Sequence, residues 1–128
     1  MSGEAIDMHN NGEMQRDFTY IDDIVKGIKL VMSRIPDPHN PDTSSVKAPY
    51  KIYNIGNNQP ISLRRFITAI ENSCGKKAKE NLLPMQAGDV LATFANVDEL
   101  IADTGFKPGT SIEDGISKFV SWYKRYYK

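Results

Sequence analysis

The eight residues Arg16-Asp17-Phe18-Thr19-Tyr20-Ile21-Asp22-Asp23 constrain the fold most strongly, because they read as a strand running directly into a helix. Phe18 and Tyr20 stand at alternate positions and Ile21 follows, a short β-type pattern. From Asp23 to about Ile35, Ile24, Ile28 and Val31 fall on one helical face, with Val25, Leu30 and Met32 widening it. So broad a stripe predicts a helix covered on more than one side. Asp22 or Asp23 is placed to cap it by accepting from first-turn N–H groups that lack a partner. Arg16 heads the strand, and its planar, permanently charged fork suits a phosphate or carboxylate. One short segment therefore offers an anion-binding cation, an aromatic face and a rigid mount.

Several classes of protein are excluded by the rest of the composition. Sixteen basic and sixteen acidic residues leave no net charge, which argues against nucleic acid or an anionic membrane as partner. The 128 residues, 40% of them hydrophobic, suit one soluble globular unit. No apolar run approaches the roughly 20 residues that span a bilayer. Met-Ser-Gly-Glu-Ala at the start has neither the basic nor the apolar region of an export signal. A single cysteine, Cys74, allows no internal disulfide, so a cytoplasmic setting is expected.

Along the chain, Ala5–Met8 is a strand candidate. His9-Asn10-Asn11-Gly12 after it reads as a hairpin connection to the strand through Arg16–Thr19. His9 has no second ligand at metal spacing and reads as a surface turn residue. Prolines 36, 38 and 41 make 36–49 a loop. Tyr50–Asn58 reads as a buried strand ending in a Gly/Asn turn. Ser62 then caps a helix with Leu63, Phe66, Ile67 and Ile70 on its core face, stopped by Gly75. That strand-turn-helix has the shape of a phosphate cradle, but a structural unit is the better reading, since the Gly-x-Gly-x-x-Gly spacing is absent throughout. Cys74 is expected to pack, and Lys76–Glu80 to be a solvated turn.

In Leu82–Val90 the backbone is made irregular by Pro84 and Gly88, and Gln86 and Asp89 stand on a short loop of the kind that carries binding groups. Thr93–Ala95 reads as a brief strand. Val97–Thr104 is a short helix capped by Asn96 or Asp98, ended by Gly105 with Pro108 beyond. Ser111 and Asp114 form a capping box for the last helix. Ile112, Ile116, Phe119 and Tyr123 line one face of it, and its aromatic end is expected to serve core packing.

Four motifs occur in order: Arg-Asp-Phe-Thr-Tyr-Ile-Asp-Asp, Tyr-Asn-Ile-Gly-Asn-Asn, Leu-Pro-Met-Gln-Ala-Gly-Asp-Val and Asp-Thr-Gly-Phe-Lys-Pro-x-Thr. In this the chain resembles the UDP-glucuronate 4-epimerases of the NAD-dependent epimerase/dehydratase group, extended short-chain dehydrogenases/reductases, over essentially its whole length. Gln86 carries the glucuronate assignment, because related UDP-glucose 4-epimerases have Arg at that position. The resemblance implies an α/β class, with residues 1–128 forming the single C-terminal α+β, substrate-binding portion of the fold without its N-terminal Rossmann sheet. It implies that Arg16 holds the diphosphate, Phe18 lies against the nucleotide, Gln86 lies near the phosphates and Asp89 bonds the ribose hydroxyls.

The same resemblance implies a reaction in which NAD takes hydride from sugar C4 and returns it to the other face, interconverting UDP-glucuronate and UDP-galacturonate. That chemistry needs a glycine-rich loop and a Tyr-x-x-x-Lys pair. Neither occurs in the 128 residues. No catalytic, metal-binding or NAD-binding residue is therefore expected here, and the expected partners are a UDP-sugar and a Rossmann half. The chain alone is expected to be inactive, and to form a homo-oligomer or domain swap through uncovered apolar surface. The alternative is a non-catalytic nucleotide-sugar-binding or interaction module.

Overall fold

A computed structural model of the chain describes residues 3–37, 39 and 49–127. Most of the 36–49 loop lies outside the described residues. The elements in order are β1 (Ala5–Met8), β2 (Gln15–Arg16), α1 (Ile21–Met32), β3 (Ile61–Ser62), α2 (Leu63–Cys74), β4 (Lys79–Leu82), α3 (Asp98–Thr104) and α4 (Ile112–Tyr126). Two apolar clusters hold them together. Ala69, Ile116 and Val120 join α2 to α4, with Phe66, Ile70, Cys74 and Ile112 packed around them. Val97, Leu100 and Phe106 form the second, beneath Leu30 and Val31 of α1 and the side chains of Tyr53 and Ile55.

Where the signal was local, the helices begin and end as their sequences predict. Ser62 Oγ accepts from Arg65 N at 3.2 Å and Ser111 Oγ from Asp114 N at 3.1 Å. Gly75 and Gly105 close α2 and α3 at φ of +69° and +67°. The start of α3 differs: its N-cap is Val97, without a side-chain bond, and neither Asn96 nor Asp98 caps it, although Asn96 Oδ1 accepts from Asp98 N at 2.9 Å.

Several expectations are corrected. Neither Asp22 nor Asp23 caps α1; the N-cap is Tyr20, without a side-chain bond, and both acids lie in the first turn. Asp23 instead accepts from Gly109 N and Thr110 N, tying α1 to the entrance of α4. The hairpin does not form. Asn10, Asn11 and Gly12 all take positive φ (49°, 52° and 80°), and the resulting turn sends the chain away from β1. Consequently β1 pairs parallel with β4, Ala5 opposite Lys79 through Met8 opposite Leu82, so the presumed solvated turn is partly a strand. The strand through Arg16 shrinks to β2, antiparallel to β3.

Among the described residues Tyr50–Asn58 belongs to no strand ladder, and Asn58 takes φ +52°. Tyr53 and Ile55 turn inward, whereas Ile52 is 75% exposed. Thr93–Ala95 likewise forms no strand; a single parallel bridge joins Gln15 to Ala92 instead. On α4 the buried face is Gly115, Ile116 and Val120, while Phe119, Trp122 and Tyr126, with the C-cap Tyr127, are exposed and contact one another ring to ring.

One side of α1 is also uncovered. Ile21, Val25, Ile28 and Met32, spaced along a single stripe, are 61%, 47%, 46% and 79% exposed. Among the described residues no helix is long and apolar enough to cross a membrane.

Candidate functional site: an arginine fork over a glycine turn

The backbone of Arg16 is clamped on two sides. β3 pairs with it across Ile61, and the adjacent Gln15 N–H donates to Leu91 O at 2.8 Å. From this mount the guanidinium reaches the 86–90 loop. Nη1 donates to Val90 O and to Gln15 O, each at 2.8 Å, and Nη2 donates to Asp89 Oδ1 at 3.0 Å. A guanidinium has five N–H donors, so Nε–H and one Nη2–H remain for another acceptor. The loop is shaped by a turn in which Asp89 N donates to Gln86 O at 3.2 Å, with Gly88 at φ +86°. Positive φ at the third position is the requirement of a type II turn, and glycine meets it without strain.

Arg16 and Asp89, 73 residues apart, are thus in direct contact, and Gln86 stands exposed on the same turn. Phe18 lies elsewhere. Its ring stacks on Phe66 with centroids 4.4 Å apart and planes within 3°. It lines an apolar recess of about 250 Å³ with Tyr20, Ile112, Ile116 and Phe119, and neither Arg16 nor Asp89 borders that recess.

Asp17 was not singled out by sequence reasoning, yet it joins the loops around the site. Its Oδ2 accepts from Asn58 N at 3.0 Å and Ala95 N at 3.2 Å, and Oδ1 faces Gln59 N at 3.4 Å. Thr19 Oγ1 accepts from Asn57 N at 3.1 Å. Three successive N–H groups that a phosphate cradle would need are therefore already taken by side chains. The 57–59 turn, which also lacks the glycine-rich spacing, thus has no free N–H groups at these three positions with which to cradle a phosphate.

A second polar group went unnoticed in the sequence. Lys51 Nζ donates to Asp103 Oδ2 at 2.7 Å, and Tyr53 Oη donates to the same oxygen. The bonds from Lys51 and Tyr53 hold the Asp103 carboxyl below its ordinary range, and Asp103 in turn raises Lys51. Tyr53 is raised by burial and by its bond to Asp103. For Asp23, partial burial acts upward, but the Thr110 and Gly109 N–H groups and Lys26 outweigh it and the carboxyl is lowered. Among the described residues no group of three or more His, Cys, Asp or Glu side chains could hold a metal ion.

Residues 1–56 match the family model described as the NAD dependent epimerase/dehydratase family. Across its whole length the chain is 50% identical to Protein CapI of Staphylococcus aureus, covering 40% of that protein. Over 99% of its length it is 43% identical to a probable UDP-glucuronate 4-epimerase of Rhizobium meliloti, covering 39%. The fold matches UDP-glucuronic acid 4-epimerase from Bacillus cereus, solved with UDP-glucuronic acid and NAD, at a TM-score of 0.78 and 24% identity, over 98% of this chain and 37% of that one.

Over residues 1–56 the chain is therefore similar to the NAD dependent epimerase/dehydratase family, and its mixed helix-and-strand fold is that of part of the solved epimerase. Among its homologues are UDP-glucuronate 4-epimerases, as the four motifs implied. It spans about 40% of the length of the two curated relatives, from Staphylococcus aureus and Rhizobium meliloti.

Proposed function

We propose that these 128 residues form the UDP-sugar-binding portion of a 4-epimerase that interconverts UDP-glucuronate and UDP-galacturonate. The observation that carries this reading is the Arg16 fork, fixed to the 86–90 turn by two bonds and to Gln15 O by a third, with two N–H donors to spare. A fork already anchored on one edge meets a diphosphate with little further loss of side-chain freedom. Gln86 on the same turn adds a neutral amide near the phosphates, and Asp89 is the acceptor for the ribose hydroxyls. Phe18 contacts the nucleotide only through the face of its ring not covered by Phe66.

In this reading NAD supplies hydride chemistry from a dinucleotide-binding portion outside these residues, and no redox step is assigned to the chain's own side chains. Their task is to bind and orient the UDP-sugar. By themselves the 128 residues are inactive as an epimerase. The exposed stripe on α1 and the exposed side chains of Tyr50 and Ile52 are the surfaces that the dinucleotide-binding portion covers. Where that portion is not docked, two copies of this chain associate through the same surfaces.

Calorimetric titration with UDP, UDP-glucuronate, UDP-galacturonate and uridine tests the reading. The three diphosphates bind, and uridine, lacking the group that Arg16 holds, binds at least about tenfold more weakly, since a hydrogen bond to a charged group contributes roughly 1.5–3 kcal/mol. Equal affinity for uridine and UDP, or no uptake of UDP, overturns it.

A further inference from the structure

We infer that Asp17 is a positioning residue for the phosphate grip: its carboxylate pins the loop that carries Asp89 and Val90, and thereby sets the Arg16 fork. This rests on the UDP-sugar reading above. Arg16 and Asp17 are neighbours whose side chains bind opposite ends of one segment. Arg16 takes Asp89 Oδ1 and Val90 O, while Asp17 Oδ2 takes Ala95 N. Between these ends the segment is held at Gln15 N to Leu91 O. The same Oδ2 also takes Asn58 N, so that a single oxygen joins the strand, the 56–59 turn and the 89–95 segment.

Gly56 shows how tightly this junction is closed. A Cβ there would stand 3.1 Å from Asp17 Oδ2 and 2.5 Å from Ala95 Cβ. Real Cβ atoms do not approach another atom to 2.5 Å, so glycine is what lets the turn approach both. Removing the carboxylate frees the Ala95 end of the segment, and the fraction of molecules with Val90 O and Asp89 in place under Arg16 falls. Apparent affinity falls in proportion to that fraction.

The test compares Asp17→Ala, Asp17→Asn and Thr19→Val in UDP titrations, alone and combined with Arg16→Ala. Asp17→Ala loses about tenfold in affinity, a competent fraction of about one tenth. Asp17→Asn recovers most of that loss, because an amide oxygen at the Oδ2 position still accepts from both Asn58 N and Ala95 N. Thr19→Val, which frees only Asn57 N, costs less than Asp17→Ala. In the Arg16→Ala background Asp17→Ala costs little more, because the group that it positions is gone.

An undiminished Asp17→Ala loss in that background, a Thr19→Val loss as large, or no recovery by Asp17→Asn overturns the inference. Amide hydrogen exchange on the unmutated chain decides the matter without ligand and without a variant that fails to fold. The Ala95, Gln15 and Asp89 amides open together if Asp17 pins the segment, and Ala95 opening independently of the other two refutes it. If UDP does not bind at all, the functional reading falls, while the exchange result still decides the role of Asp17.

Discussion

Gly56 lies against Ala95 with no room for a side chain: a Cβ at residue 56 would meet the Ala95 Cβ at 2.5 Å. This contact brings the 56–59 turn onto Asp17 and, through Ala95, onto the segment beneath Arg16. Gly56→Ala forces backbone to move on both sides, and overpacking of this kind costs about 1–3 kcal/mol. A urea titration measures the loss, with a lowered midpoint at unchanged slope. A midpoint equal to that of the unmutated chain contradicts the packing described.

Leu100 is wholly buried between Val97 and Phe106 in the cluster beneath α1 and α3. Leu100→Ala removes about 2–5 kcal/mol, the range for large-to-small changes in closed cores. A domain of this size has only about 5–15 kcal/mol of stability, so its thermal midpoint drops by many degrees. Ile52→Ala, at an exposed position in the 50–58 segment, shifts the midpoint far less.

The pH dependence follows from the carboxyls held below their ordinary values: Asp23 and Asp103 below 3.8, and Glu71 and Glu113 below 4.5. A depressed folded-state pKa contributes stability that is present above the unfolded value and lost as pH falls through the folded one. Stability is therefore flat near neutrality and falls progressively below a pH of about 4.5. At the alkaline end Tyr53 and Lys51 are raised above 10.0 and 10.5. Their contribution is complete below those values and disappears as pH rises past them. Thermal unfolding from pH 3 to 11 checks both limbs (the range is about that of the ordinary pKa values), and Asp103→Asn flattens each.

The exposed stripe Ile21, Val25, Ile28 and Met32 gives a further expectation. Sedimentation of the 128-residue chain alone shows reversible association, because a contiguous apolar stripe is unstable in water. Ile28→Lys in the middle of the stripe weakens that association. A chain that stays monomeric at every concentration, with or without the substitution, contradicts this.

The starts of α2 and α4 and the ends of α2 and α3 were legible in the sequence because their causes are local. Ser62 and Ser111 bond three residues ahead, and Gly75 and Gly105 need only their own φ. By contrast, α1 and α3 start at Tyr20 and Val97 without the side-chain caps expected. The sheets were not legible. Lys79-Glu80-Asn81-Leu82 has no β-branched residue and is exposed throughout, and its partner lies more than 70 residues earlier. The Asn-Gly signal before Glu13 was real as a turn, but a run of three left-handed residues turned it away from a hairpin. Proximity of Arg16 to Asp89 followed from family resemblance alone, since no spacing within one chain predicts a contact across 73 residues. Asp17 left no signal at all, because its partners are backbone N–H groups, which every non-proline residue has.

The central claim is that the Arg16 guanidinium holds the diphosphate, and the most direct measurement is UDP affinity in Arg16→Ala beside Gln86→Ala. A hydrogen bond from a charged donor contributes roughly 1.5–3 kcal/mol, against about 1 for a neutral amide. Arg16→Ala therefore weakens UDP binding about tenfold or more, with Gln86→Ala costing distinctly less. Equal losses in the two variants, or an Arg16→Ala protein that binds UDP as tightly as the parent, would contradict the account.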